Sequence, residues 1–224
     1  MEITPEELIG QFGIATNQAQ DPRRGSNSRY TLEECIKGAL SVFMTQSPSF
    51  LDFQKTMRGK TGRDNAESLF GMQAIPDEDQ IRTVLDEIPP DTFFGVFEWV
   101  FNRMVQSGEI KQFQSELGYL VALDGTQTFS TNTNHIHCIN CLTKTHKTTG
   151  NVTYYHSVIT PVLVKPGFGY VLNFPPELIV PQDGSRKQDC EINGGKRWIG
   201  TNGEQIVHIL QWVKTTTYNI VMCK

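Results

Sequence analysis

The spacing of apolar positions along the chain changes once, near residue 118. Upstream, the segment YTLEECIKGALSVFM carries its apolar residues as pairs, Cys35/Ile36, Ala39/Leu40 and Phe43/Met44, at the three-to-four-residue interval that gives a helix one apolar face. Thr31 with Glu34 three residues on has capping-box spacing and marks where that helix begins. Proline disfavours helix in the residue before it, so Ser47-Pro48-Ser49 ends the segment, and serine is suited to cap the next helix. The scheme recurs twice: Pro76-Asp77 opens a helix that Pro89-Pro90 closes, and Asp91 opens one that Ser107-Gly108 ends. The aromatic set Phe93, Phe94, Phe97, Trp99 and Phe101 is read as core packing. From Gly118 onward, YLVALDG, TYYHSVITPVLVKP and GYVLNFPPELIVP are rich in β-branched and aromatic residues and bounded by Gly and Pro, which predicts three sequential strands. DGSRKQDCEINGGKRWI then turns polar with charges at helical intervals, predicting a helix capped by Asp183 or Ser185 and running to Ile199.

Composition narrows the classes. With 224 residues, 38% apolar and 20% charged, the chain has ordinary globular make-up and length for a real core. No run approaches the roughly 20 apolar residues of a membrane span. The start MEITPEELIGQFG lacks the basic and apolar blocks of a signal peptide, so the expected location is cytoplasmic, with no membrane partner. Net charge is −4, but residues 1–123 stand at −7 and residues 124–224 at +3, which makes the second part the one suited to face phosphate. Five cysteines without a secretory signal argue against a disulfide framework.

Three constellations carry candidate chemistry. YLVALDGTQTFS runs an apolar strand into Asp124, which is either an Asp-Gly turn or a carboxylate delivered to a metal. HIHCINCLTKTH brings His135, His137, Cys138, Cys141 and His146 within a dozen residues; His137, Cys138, Cys141 and His146 can supply the four N/S ligands of a structural Zn²⁺, and a polar β-hairpin excursion explains the segment as well. DGSRKQDCEINGGKR sets Asp183, Asp189 and Glu191 beside Arg186, Lys187, Lys196 and Arg197, basic residues that either contact DNA phosphate or pair along a surface helix.

The segments IPDEDQIRTVLDEIPPD, YLVALDGTQTFS, IHCINCLTK, TYYHSVITPVLVKPG and PQDGSRKQDCEINGGKRWI, in this order, resemble the amino-terminal half of bacterial insertion-sequence transposases of the DDE class. The resemblance covers the chain from about Tyr30 to Glu204. It implies an α+β fold: a helical amino-terminal region followed by the first three strands and first helix of an incomplete ribonuclease-H-like domain. The implied organisation is a mainly helical region 1–117, a partial transposase domain 118–210 and a tail 211–224. It further implies that Asp124 matches the first catalytic carboxylate, a Mg²⁺ ligand for DNA cleavage and strand transfer in transposition, with DNA element ends and a second copy of the chain as partners. Asp183 and Glu191 are not taken as substitutes for the other two carboxylates, because their helix does not match the required place in that fold.

The chain departs from the family after GEQIVHIL, where QWVKTTTYNIVMCK stands in place of a Gly-Asp-Asp strand. Codons for Trp212 to Tyr218 read two nucleotides later permit Gly-Glu-Asp-Asp-Tyr-Leu, so residues 211–224 are expected to be a non-native, out-of-frame tail. With one matched carboxylate of three, the expected product is a catalytically incomplete transposase fragment. The rival reading is a non-catalytic DNA-binding or regulatory protein built on a transposase scaffold. A zinc-dependent hydrolase is disfavoured, since no positioned base or second ligand cluster accompanies the Cys/His segment.

Overall fold

The computed structural model describes residues 3–23, 28–132, 141–181, 189–212 and 218–222. Its contacts divide the chain into two units, residues 1–100 and 101–224.

The first unit is helical: α1 (Pro5–Gln18), α2 (Leu32–Met44), α3 (Phe50–Arg58), α4 (Lys60–Phe70), α5 (Glu78–Leu85), a 3-10 turn (Pro90–Phe93) and the start of α6 (Phe94–Ser107). Helix starts follow the caps. At α2 the Thr31 side chain accepts from the Glu34 amide at 3.0 Å while the Thr31 amide donates to the Glu34 carboxylate at 2.9 Å, the predicted box. The same device at Thr4 and Glu7 begins α1, and Ser49 caps α3 as expected. Asp91 does not open α6 directly; the 3-10 turn Pro90–Phe93, with Pro90 at its first position, comes first. Two clusters fill this unit. Ile9, Val42, Phe53, Met57, Ala66, Phe70 and Met72 form one; Tyr30, Cys35, Ile36, Val84 and Ile88 form the other. Of the predicted aromatic core set, Phe101 is fully buried and Phe93, Phe94, Phe97 and Trp99 are half-buried.

The second unit is built on a mixed sheet of six strands. β1 (Tyr119–Thr131) and β3 (Val152–Val164) form a long antiparallel hairpin, extended at its far end by β2 (Leu142–Thr145) pairing with β3. The third predicted strand is split into β4 (Leu172–Asn173) and β5 (Glu177–Ile179), both paired to β3, with the Pro175-Pro176 break between them. α7 (Glu191–Trp212) crosses over and β6 (Tyr218–Met222) pairs parallel with β1, giving the order β2-β3-β1-β6. The α+β class is therefore as expected, but two described strands, β2 and β6, were not predicted: β2 lies in the Cys/His segment, and residues 218–222 of the tail pair along β1. α7 begins later and runs further than predicted, from Glu191 to Trp212, and the expected caps Asp183 and Ser185 lie outside the described residues.

Alternation along β1 sorts its two faces. Tyr119, Val121 and Leu123 are buried, while Leu120 and Ala122 are half-buried. α7 covers the buried face. A Cβ on Gly194 would stand 3.1 Å from Ile159 and 3.4 Å from Ile179, so the absence of a side chain there lets the helix backbone approach the sheet. One turn on, Trp198 is 1% exposed, packs against Phe174 with the rings tilted and their centroids 5.8 Å apart, and donates from Nε1 to the Pro175 carbonyl at 2.9 Å. Burying an indole of this size contributes on the order of 4 kcal/mol.

Candidate functional site

β1 carries Asp124 to the point where the strand leaves its buried stretch. Leu123 is 1% exposed and Asp124 is exposed, paired in register with Thr160 on β3. The strand is interior to the sheet, with β3 antiparallel on one side and β6 parallel on the other as far as Leu123, so the backbone leading to this carboxylate is held from both edges and Asp124 itself from β3. Among the described residues the Asp124 carboxylate has no hydrogen-bond or ion-pair partner.

The next residue faces the other way. A Cβ on Gly125 would fall 2.3 Å from Cδ of Glu191, the first residue of α7, so the Glu191 side chain occupies the space that glycine leaves. Gly125 pairs with Ile159, and Ile159 touches Gly194 of α7, which fixes this as the helix-covered face. Strand alternation puts Asp124 on the opposite face. Glu191 therefore comes close to β1 in space without sharing the surface on which Asp124 stands. Beside it, a cavity of about 330 Å³ opens between α7 and the sheet, lined by Tyr155, Ser157, Ile179, Asp189, Cys190 and Glu191.

The basic residues divide in two. Arg186 and Lys187, with Asp183, lie outside the described residues. Lys196 is exposed on α7, whereas the Arg197 guanidinium is already engaged: it donates to Glu177 at 2.7 Å, to Asp189 at 2.5 Å and to the Leu178 carbonyl at 3.2 Å. These bonds tie α7 to β5, and they give Arg197 a structural role that its place in a basic run did not reveal. Burial by itself would raise the Asp189 carboxyl; the Cys190 amide, Arg197 and the Asn193 side chain outweigh it and hold the group below its ordinary range. Burial likewise opposes the charge on Arg197, and Glu177 and Asp189 more than restore it.

In the Cys/His segment, His135, His137 and Cys138 lie outside the described residues. Cys141 is 6% exposed and its Sγ stands 3.2 Å from Nε2 of His156 on β3. His146, grouped with Cys141 by sequence proximity, sits instead in the turn after β2, exposed, with its Nδ1 3.2 Å from the Thr149 hydroxyl. The four residues of β2 lie between it and Cys141, five steps of about 3.3 Å at strand rise. Hairpin register is the signal that could have found His156, since pairing Leu142 with Tyr155 sets Cys141 opposite His156. Among the described residues no three His, Cys, Asp or Glu side chains converge as a metal-holding group, and no helix is long and apolar enough to cross a membrane.

No family model matches the chain, and no curated protein or solved structure is found to be similar to it.

Proposed function

We propose that this chain derives from a DDE-class transposase: its second unit is the opening part of a ribonuclease-H-like domain, and Asp124 is the first metal-binding carboxylate. The observation that carries the reading is the setting of Asp124, an exposed carboxylate without a partner among the described residues, at the end of a buried stretch of an interior strand flanked by an antiparallel hairpin on one side and a parallel strand on the other. That strand order supports the ribonuclease-H-like assignment, and the segment resemblance supports the transposase one. The exposed carboxylate suits a hard cation such as Mg²⁺, which is bound through one or two carboxylates with water completing its shell.

The activity of the parent is metal-dependent DNA cleavage and strand transfer. Here the donors near Asp124 fall short of that task, because two metal ions about 4 Å apart need several shared oxygens and Glu191 stands on the other face of β1. The chain is accordingly catalytically incomplete, with DNA as its ligand and exposed Lys196 as a phosphate contact. The test is Mn²⁺ titration by calorimetry of the full chain and of Asp124→Asn, together with DNA binding at rising salt. Weak Mn²⁺ binding in the parent, lost in the variant, with DNA affinity that falls steeply with salt, is expected. Identical metal response in both proteins refutes the role of Asp124. DNA binding without any Mn²⁺ binding favours a non-catalytic DNA-binding or regulatory protein.

A further inference from the structure

We propose that the uncovered half of the ribbon formed by β1, β2 and β3 is a docking surface for duplex DNA, with Lys144 and Lys147 as its phosphate contacts. The inference rests on the proposed function only for DNA as the ligand, and it uses neither Asp124 nor a metal.

The sheet loses its cover past Gly125, beside which α7 begins at Glu191. From Tyr119 to Leu123 the burial of β1 alternates, as in a packed sheet, but Thr126, Gln127, Thr128, Phe129 and Ser130 are exposed one after another. Every residue from Thr143 to Asn151 is exposed as well. Successive strand residues face opposite sides, so exposure without alternation leaves both faces of the ribbon open to solvent.

The ribbon is held by its own hydrogen bonds. β2 and β3 stay paired as far as Thr145 with Val152, beyond the pair Thr131 with Tyr154 where β1 stops, so the tip is two-stranded. There the chain reverses in a closed turn: the His146 amide donates to the Asn151 carbonyl and the Gly150 amide to the His146 carbonyl, both at 2.8 Å, and Gly150 takes the left-handed φ of 71° that the reversal needs. At its root, Cys141 and Leu142 are buried, which fastens a hairpin that would be marginal by itself. From Leu142 to His146 the strand runs about 14 Å, more than the roughly 8.5 Å depth of a DNA major groove, and that groove is wide enough to admit a two-stranded ribbon.

Charge selects the partner. The chain has 24 acidic residues among 224, yet none occurs from Gly125 to Pro176, a stretch that holds Lys144, Lys147 and Lys165. Lys144 and Lys147 are exposed, and the ribbon around them offers hydroxyls and amides but no carboxylate, so their charge is left for an external anion. Thr145 and Thr148 stand beside them as hydroxyl donors of the kind that bond phosphate oxygens. A narrow two-faced ribbon without acids matches a groove walled by phosphates better than it matches a flat acidic protein surface.

Anisotropy titration of a fluorescein-labelled DNA duplex with the full chain, in EDTA and at several salt concentrations, tests the surface. The parent is expected to bind, and Lys144→Gln/Lys147→Gln to bind about tenfold more weakly, with a slope of log affinity against log salt shallower by about 2. Lys55→Gln/Lys60→Gln removes the same charge from exposed positions of the helical unit and should bind as the parent does. Parent-like affinity in the ribbon variant overturns the proposal and places the DNA contact elsewhere on the chain. An equal loss in both variants also overturns it, by showing that net charge matters and place does not. Polyglutamate that displaces the labelled duplex as well as unlabelled DNA does assigns the ribbon to acidic polypeptides and overturns it too. A parent chain that binds no duplex overturns this inference, while the Mn²⁺ titration still decides the role of Asp124 separately.

Discussion

Replacing Asp189 by asparagine removes the charge, just before α7, that holds Arg197 in place to bond Glu177 and Leu178 of β5. The side chain of Asp189 is 1% exposed and receives hydrogen bonds from its neighbour's amide at 2.9 Å on one oxygen and from Arg197 at 2.5 Å on the other, with the Asn193 side chain also holding it. Asparagine keeps the amide-accepting oxygen and shape but puts an NH₂ group where the guanidinium donates. A hydrogen bond to a charged group contributes about 1.5–3 kcal/mol. Arg197 is 41% exposed and keeps Glu177 and the Leu178 carbonyl, so water and these partners recover part of the loss and about 1.5 kcal/mol remains. At about 2–4 °C per kcal/mol for a chain of this size, Tm falls by about 3–6 °C. The pH dependence carries a sign. Asp189 is held below its ordinary value of 3.8 in the folded chain, so its contribution is present above that value and disappears as pH falls through the folded one. Thermal melts of parent and Asp189→Asn followed by circular dichroism should therefore differ at neutral pH and converge under acid. Coincident melting at pH 7, or a gap that widens on acidification, refutes the clamp.

Two further outcomes test the packing. Gly194→Val adds atoms where a Cβ already meets Ile159 at 3.1 Å, and should lower stability by about 1–3 kcal/mol in urea titration; Gly200→Ala, on the same helix with no atom within 4 Å, should raise it by about 0.8 kcal/mol. Equal effects of the two would show that α7 does not rest on the sheet at Gly194. Burial pushes the Cys35 thiol up, and the side chain is 0% exposed, so maleimide labelling of the native chain followed by peptide mass spectrometry should spare Cys35 while modifying half-buried Cys190. Comparable labelling of both would show that the cluster around Tyr30, Ile36 and Val84 opens readily.

Much of the helical unit was legible because its signals are local. Thr31 and Glu34, Ser49, and the proline breaks act within one turn of the chain, so their consequences can be read without knowing what they pack against. The hairpin strands were legible for the same reason, but the apolar run before Asp124 marked only the end of the buried stretch: β1 continues to Thr131, so Asp124 stands within the strand and not at its end. What failed to show was everything set by register. His146 looked like the neighbour of Cys141 because it lies five positions on in sequence, yet five steps of strand span about 16 Å, and the partner came from across the hairpin. Arg197 looked like a phosphate contact for the same reason: its two carboxylate partners, Glu177 and Asp189, lie 20 and 8 residues away and meet only when α7 docks.

Register also decides what can complete a centre at Asp124. The residue lies on the face of the sheet away from α7, so acids on that helix, however near β1, approach the wrong side. Donors must come from elements covering the other face or from the end of the adjoining strand. The adjoining strand is β6, and its parallel pairing runs from Tyr119 with Tyr218 to Leu123 with Met222, one step short of Asp124. A strand in this slot that carried its acid just beyond the Met222 position would therefore set a second carboxylate beside the first, at the separation of neighbouring strands, about 4.8 Å. That is close enough for two carboxylates to share one cation. The residues of β6 itself, YNIVM, bring no such group, so the fold holds the slot while the sequence within it lacks the chemistry.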